Sequence, residues 1–168
     1  MTVPMAAIWI RIFLMHVWMP DSHGTVASHV AKGGQLLWAP VDLVYCDYPY
    51  GEHPQKGIYT MEIPEAAIGG QTLHWSEHIR TAAQLQKMCW PRTTAMAERC
   101  WSGEGDYADF CRRLEAIFPV FGEMGIAATP SQGWDPDPEE AARQVADFHK
   151  QFDSENENID FAGLLTQI

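Results

Sequence analysis

Basic side chains are scarce in this sequence: 11 Lys and Arg stand against 22 Asp and Glu over 168 residues, a formal net charge of −11. Phosphate backbones are held by clustered cations, so direct nucleic-acid binding is not expected. No apolar run is long enough to cross a bilayer. The longest, Met5 to Met19, is broken by Arg11 and His16, and a spanning helix needs roughly 20 apolar residues. That run also lacks the basic start and small-residue cleavage site of a signal peptide. A cytoplasmic protein without membrane contact is therefore expected. The four cysteines, Cys46, Cys89, Cys100 and Cys111, show no CxxC spacing, which argues against a thiolate zinc site. No glycine-rich loop follows a strand to cradle a nucleotide or methyl donor.

What is present is bulky apolar material. Hydrophobic residues make up 46%, including seven Trp and seven Phe, enough for one domain with a substantial core. The chain is read as a single compact domain over 1–168, strand-rich in 1–68 and helical and acidic in 73–168. Five segments carry β-branched and aromatic residues between turn signals: Ala6–Met19, Thr25–Val30, Gln35–Trp38, Val41–Cys46 and Gly57–Ile63. Short strands in such succession predict an α+β fold, with a mostly antiparallel sheet from the N-terminal half and a helical C-terminal half packed on it. Beyond Gly69-Gly70 the period becomes helical. A helix is expected over Leu73–Cys89 and a second one up to Trp101. A third, over 106–118, is capped by Asp106, with Phe110, Leu114 and Ile117 on its apolar stripe. Pro119 to Pro136 reads as a long loop, and Asp137-Pro138-Glu139-Glu140 as the start of a last long helix over 138–152.

The charge is uneven. Residues 1–113 carry 11 acidic and 9 basic side chains, net −2, whereas residues 114–168 carry 11 acidic and 2 basic, net −9. Such a concentration attracts a basic surface.

Several short motifs suggest chemistry. His74-Trp75-Ser76-Glu77-His78 matches H-x-x-E-H, and on a helix positions i and i+4 would share a face. The motif resembles that of the inverted zinc peptidases and the S-ribosylhomocysteine lyases. The resemblance implies His74 and His78 as metal ligands, Glu77 as the base, and zinc as the metal. Ser28-His29-Val30-Ala31, followed by a Gly-Gly turn and Leu36 to Pro40, resembles the histidine strand of permuted papain-like amidohydrolases and peptidases. That implies His29 as the partner of a cysteine nucleophile. No cysteine opens a helix, so the nucleophile is unassigned. Val41 to Tyr50 looks like the D-P-P-Y strand end of amino-methyltransferases, with Tyr48 replacing the first proline. His23-Gly24-Thr25 and His74-Trp75-Ser76 are similar to the paired motifs of two-histidine phosphoesterases.

None of these constellations is complete in the sequence. The leading expectation is an acidic binding or inhibitor-type protein that engages a basic protein surface, with mimicry of nucleic acid, in the manner of small inhibitors carried by mobile elements, as one form it could take. Asp135, Asp137, Glu139, Glu140 and Asp147 would carry that contact, and no cofactor is expected. The alternative is a hydrolase of the His-rich half, either zinc-dependent through His74 and His78 or cysteine-dependent through His29.

Overall fold

The computed structural model describes residues 13–19, 24–77 and 79–156. The first half of the Ala6–Met19 run, His78 and the segment Ile159–Leu165 lie outside the described residues.

Three short strands form one sheet: β1 (Leu14–Val17), β2 (Gln35–Trp38) and β3 (Ala67–Gly70), in the order β1-β2-β3. Both pairings are parallel. Leu14 faces Gln35 and Val17 faces Trp38, while Leu36 faces Ala67 and Leu37 faces Gly69. The register shifts between Leu36 and Leu37, leaving Ile68 without an opposite number and 58% exposed. Parallel neighbours cannot be joined by a hairpin, so each connection must cross back over the sheet. Helix α1 (Thr25–Ala31) makes the first crossover, and α2 (Val41–Val44) with α3 (Gln55–Thr60) the second.

This overturns the expected mostly antiparallel sheet. Three of the five predicted strands, Thr25–Val30, Val41–Cys46 and Gly57–Ile63, contain these helices instead. Their β-branched residues favour strands only weakly, and the need for crossovers overrides that preference. Ile58 and Tyr59 of α3 are 0% and 2% exposed, so burial holds this helix despite Gly57.

The C-terminal half is helical: α4 (Ala82–Cys89), α5 (Arg92–Ser102), α6 (Tyr107–Glu123) and α7 (Pro138–Asn156). The Asp106 carboxylate caps α6 by accepting from the Asp109 N–H at 2.7 Å. Helix α6 continues through Pro119 to Glu123, so the expected loop from Pro119 starts later. Phe110 and Leu114 are each 2% exposed and join Val44, Ile58, Tyr59 and Trp134 in the core. The Tyr59 and Phe110 rings stack at 4.6 Å. Ile117, expected in the stripe, is 51% exposed. Among the described residues, no helix is long and apolar enough to cross a membrane.

Replacing Leu114 by Ala leaves a cavity in this core and should destabilise the fold by about 2–5 kcal/mol in chemical denaturation. A near-neutral change would place the stripe at the surface.

Candidate substrate cleft at the strand ends

The sheet does not stop at its named strands. The Gln71 N–H donates to the Trp38 carbonyl at 3.1 Å, Leu73 to Val44 at 2.9 Å, and Cys46 to Leu73 at 2.7 Å. A parallel bridge pairs Tyr45 with Leu73. These bonds carry the chain after β2 and the chain after β3 forward side by side, past the C-terminal ends of the strands.

A cleft of about 930 Å³ lies at that end. His16 and Trp18 contribute from the end of β1, Tyr45, Asp47 and Tyr48 from the segment after β2, and Leu73, Trp75 and Glu77 from the segment after β3. Leu73 and Trp75, from the bridged segment, and Glu77, from the turn that follows it, line the cleft while His74 does not. The indoles of Trp18 and Trp75 are 45% and 50% exposed. Trp75 tilts against Tyr45, with ring centroids 6.4 Å apart.

Asp47 is the buried polar group of the cleft, at 5% exposure. Burial pushes its carboxyl above the ordinary carboxylate range, the backbone N–H groups of Asp47 and Trp75 pull it back, and nearby Glu77 pushes it up further. Its Oδ1 has no hydrogen-bond partner in the protein. An unsatisfied buried acceptor is expensive, so this oxygen marks a shortage of donors at the cleft wall. The arrangement offers aromatic faces beside carboxylate acceptors, which suits a polyhydroxylated ligand with apolar C–H faces.

The comparisons with known proteins agree on one family. The model of the glycosyl hydrolase family 20 catalytic domain matches residues 9–104. The chain belongs to that family. It is 26% identical to beta-hexosaminidase 3 of Arabidopsis thaliana over 134 residues, 73% of this chain and 24% of that protein. It is 34% identical to the beta-hexosaminidase of Porphyromonas gingivalis over 107 residues, 57% of this chain and 13% of that protein. A solved family 20 beta-N-acetylglucosaminidase superposes with a TM-score of 0.63 at 25% identity, covering 73% of this chain and 31% of the other. The chain thus spans about a quarter or less of the two relatives' own lengths. The family's catalytic domain is a TIM barrel, and the three parallel strands with their crossovers are part of one. TIM barrels build their active sites at the C-terminal ends of the strands, where this cleft lies.

Family 20 membership corrects the functional expectations. Membership of glycosyl hydrolase family 20 overturns the expected acidic binding or inhibitor protein, and the zinc-peptidase and papain-like alternatives with it. The structure places each candidate residue accordingly. His74 is in an irregular segment rather than on a helix, because α4 begins only at Ala82. That removes the shared face on which the His74/His78 pair depended, and His78 lies outside the described residues. No group of three or more potential metal ligands occurs among the described residues. His29 is on α1, its Nε2 3.1 Å from the Gln35 carbonyl, and no cysteine lines the cleft. Glu77 does line it, as a cleft carboxylate rather than a metal-site base.

Four of the five proposed partner-binding acids, Asp135, Asp137, Glu140 and Asp147, have partners within the fold. Asp135 accepts from the Lys56 N–H at 2.8 Å and from the Tyr107 hydroxyl. Asp137 caps α7, taking the N–H groups of Glu139 and Glu140 at 3.0 and 2.9 Å. Glu140 pairs with Arg143, and Asp147 with Lys150 at 3.6 Å. Sequence reasoning missed Trp18, Tyr45, Asp47 and Trp75 as a group. The readable signal was the W-x-E spacing of Trp75 and Glu77, together with an aspartate closing the apolar run at Asp47.

His74 has its own consequence. Its Nε2 is buried without a partner, and burial, aided by the Arg92 charge, lowers its pKa from 6.5 to about 4. The unfolded chain therefore takes up this proton first as pH falls. The associated stability is complete above about pH 6.5 and is lost as pH drops to about 4. Asp47, with a raised pKa, works in the opposite sense. In urea denaturation between about pH 7 and about pH 5, His74→Leu should lose less stability than the parent chain. An equal loss in both would assign the acid sensitivity elsewhere.

Proposed function

We propose that this chain forms the sugar-binding wall of a β-N-acetylhexosaminidase active site, acting on a terminal N-acetylhexosamine. One observation carries the reading: a buried carboxylate with a free oxygen, Asp47, stands beside the exposed indole of Trp75 at the C-terminal end of a parallel sheet. A pyranose ring has apolar C–H faces and a rim of hydroxyls. The faces stack on Trp75 and Trp18, and the hydroxyls donate to the carboxyl oxygens of Asp47 and Glu77. Asp47's raised pKa fits a site from which water is displaced as the sugar enters. The names of the relatives support the N-acetylhexosamine. The four unpaired cysteines support the cytoplasmic placement expected from the sequence.

Glycoside hydrolysis generally needs an acid and a second group on the opposite side of the scissile bond. The role proposed for Asp47 and Glu77 is to hold the sugar's hydroxyls and so orient that bond.

Titration of the chain with N-acetylglucosamine, followed by tryptophan fluorescence, tests the reading. Binding should perturb the emission, and Trp75→Ala should abolish most of the change. Glu77→Gln should weaken affinity by about tenfold, the worth of one hydrogen bond to a charged group. Unperturbed emission in a folded chain would sink the proposal, as would an unaffected Trp75→Ala variant.

A further inference from the structure

Arg92 opens α5, and its side chain runs beneath the loop that carries Asp47. It is 0% exposed. Its Nε donates to the Met88 carbonyl at 3.0 Å, one terminal nitrogen to Tyr48 at 3.0 Å and His53 at 3.1 Å, and the other to Cys46 at 2.6 Å. The guanidinium carbon lies 4.1 Å from the centroid of the Tyr50 ring. All four of these hydrogen bonds end on backbone carbonyls. A buried cation without a carboxylate partner is an expensive way to fill a core, since apolar side chains do that without desolvating a charge. A planar fork of five donors does something they cannot: it fixes several carbonyls at once in defined directions.

Two of those carbonyls, Cys46 and Tyr48, belong to the residues on either side of Asp47. Holding them fixes the path of the chain through Asp47, and with it the direction in which the carboxylate leaves the backbone. The third, His53, closes the loop onto the same point. Helix α7 presses from the other side: Gly51 donates to the Gln144 side chain at 2.9 Å, and a Cβ at Gly51 would come within 2.6 Å of the Ala141 carbonyl. The loop is thus gripped from beneath by one side chain and backed by a helix.

We propose that Arg92 is the positioning residue for Asp47, setting the carboxylate in the cleft by holding the carbonyls on either side of it. Its relevance to sugar binding rests on the function proposed above. The hold on Asp47 itself does not, and can be tested without ligand. Lysine keeps the charge at position 92 but has no fork, so Arg92→Lys separates geometry from electrostatics.

The ligand-free test follows the Asp47 carboxyl by carbon-detected NMR titration. In Arg92→Lys the released carboxylate meets more water, and its midpoint should fall toward the ordinary carboxylate value while that of Glu98 stays in place. An unchanged Asp47 midpoint in a folded variant overturns the proposal. The ligand test is a double-mutant cycle with N-acetylglucosamine. Arg92→Lys and Asp47→Asn should each weaken binding by about tenfold, and the double variant should be no weaker than the worse single one. Additive losses would make Arg92 a general support and overturn the proposal. If Arg92→Lys fails to fold, Tyr50→Leu removes the ring on which the guanidinium rests and should move the Asp47 midpoint the same way by less; no movement overturns the proposal. Absence of sugar binding by the parent chain would refute the proposed function, leaving the titration to judge Arg92 alone.

Discussion

Two backbone hydrogen bonds organise the site: Cys46 N–H to the Leu73 carbonyl and Leu73 N–H to the Val44 carbonyl. They extend the parallel pairing of the sheet beyond its strands, so segments nearly thirty residues apart run together at its C-terminal end. Pairing Tyr45 with Leu73 sets the register, and the turns that follow deliver Asp47 from one segment and Glu77 from the other into the cleft that Trp75 also lines. A shift of one residue in that pairing would flip Leu73 and disturb the approach of the two turns. Half-buried His74 stays out of the cleft, while the open indole of Trp75 lines it.

The helical half of the sequence was more legible than the strand half, for a physical reason. Helix signals are local. Asp106 as cap, Phe110 and Leu114 on one stripe, and Asp137 before Pro138 are all read within a few residues, and the structure has those features. Parallel pairing is non-local, and nothing within Thr25–Val30 or Gly57–Ile63 states that the chain must cross back over a sheet there. Both segments carry β-branched residues and yet serve as crossovers. The site suffered from the same limit. H-x-x-E-H was legible as a motif only on the assumption of a helix. Without a helix there, Trp75 and Glu77 line the cleft and His74 does not, which changes the chemistry to propose from metal ligation to sugar contact.

Several carboxylates of the acidic third have partners within the fold. They cap α7, pair with Arg143 and Lys150, or tie Lys56 and Tyr107 to the loop before α7. Surface pairs of this kind add little stability each. What α7 adds is position, through Gln144 on Gly51 and through Phe148, whose ring lies 5.3 Å from that of Tyr48. Net charge described how this helix meets water; packing shows how it backs the cleft loop.

The central claim is that one cleft at the strand ends takes the sugar. The most direct measurement is the change in amide and indole NMR signals as N-acetylglucosamine is added to the chain. The account expects the indole N–H signals of Trp18 and Trp75 and the amides of Asp47 and Glu77 to move together along one binding curve, with Glu139, Glu140 and Asp147 unmoved. Movement centred on α7, with the cleft signals silent, would contradict it.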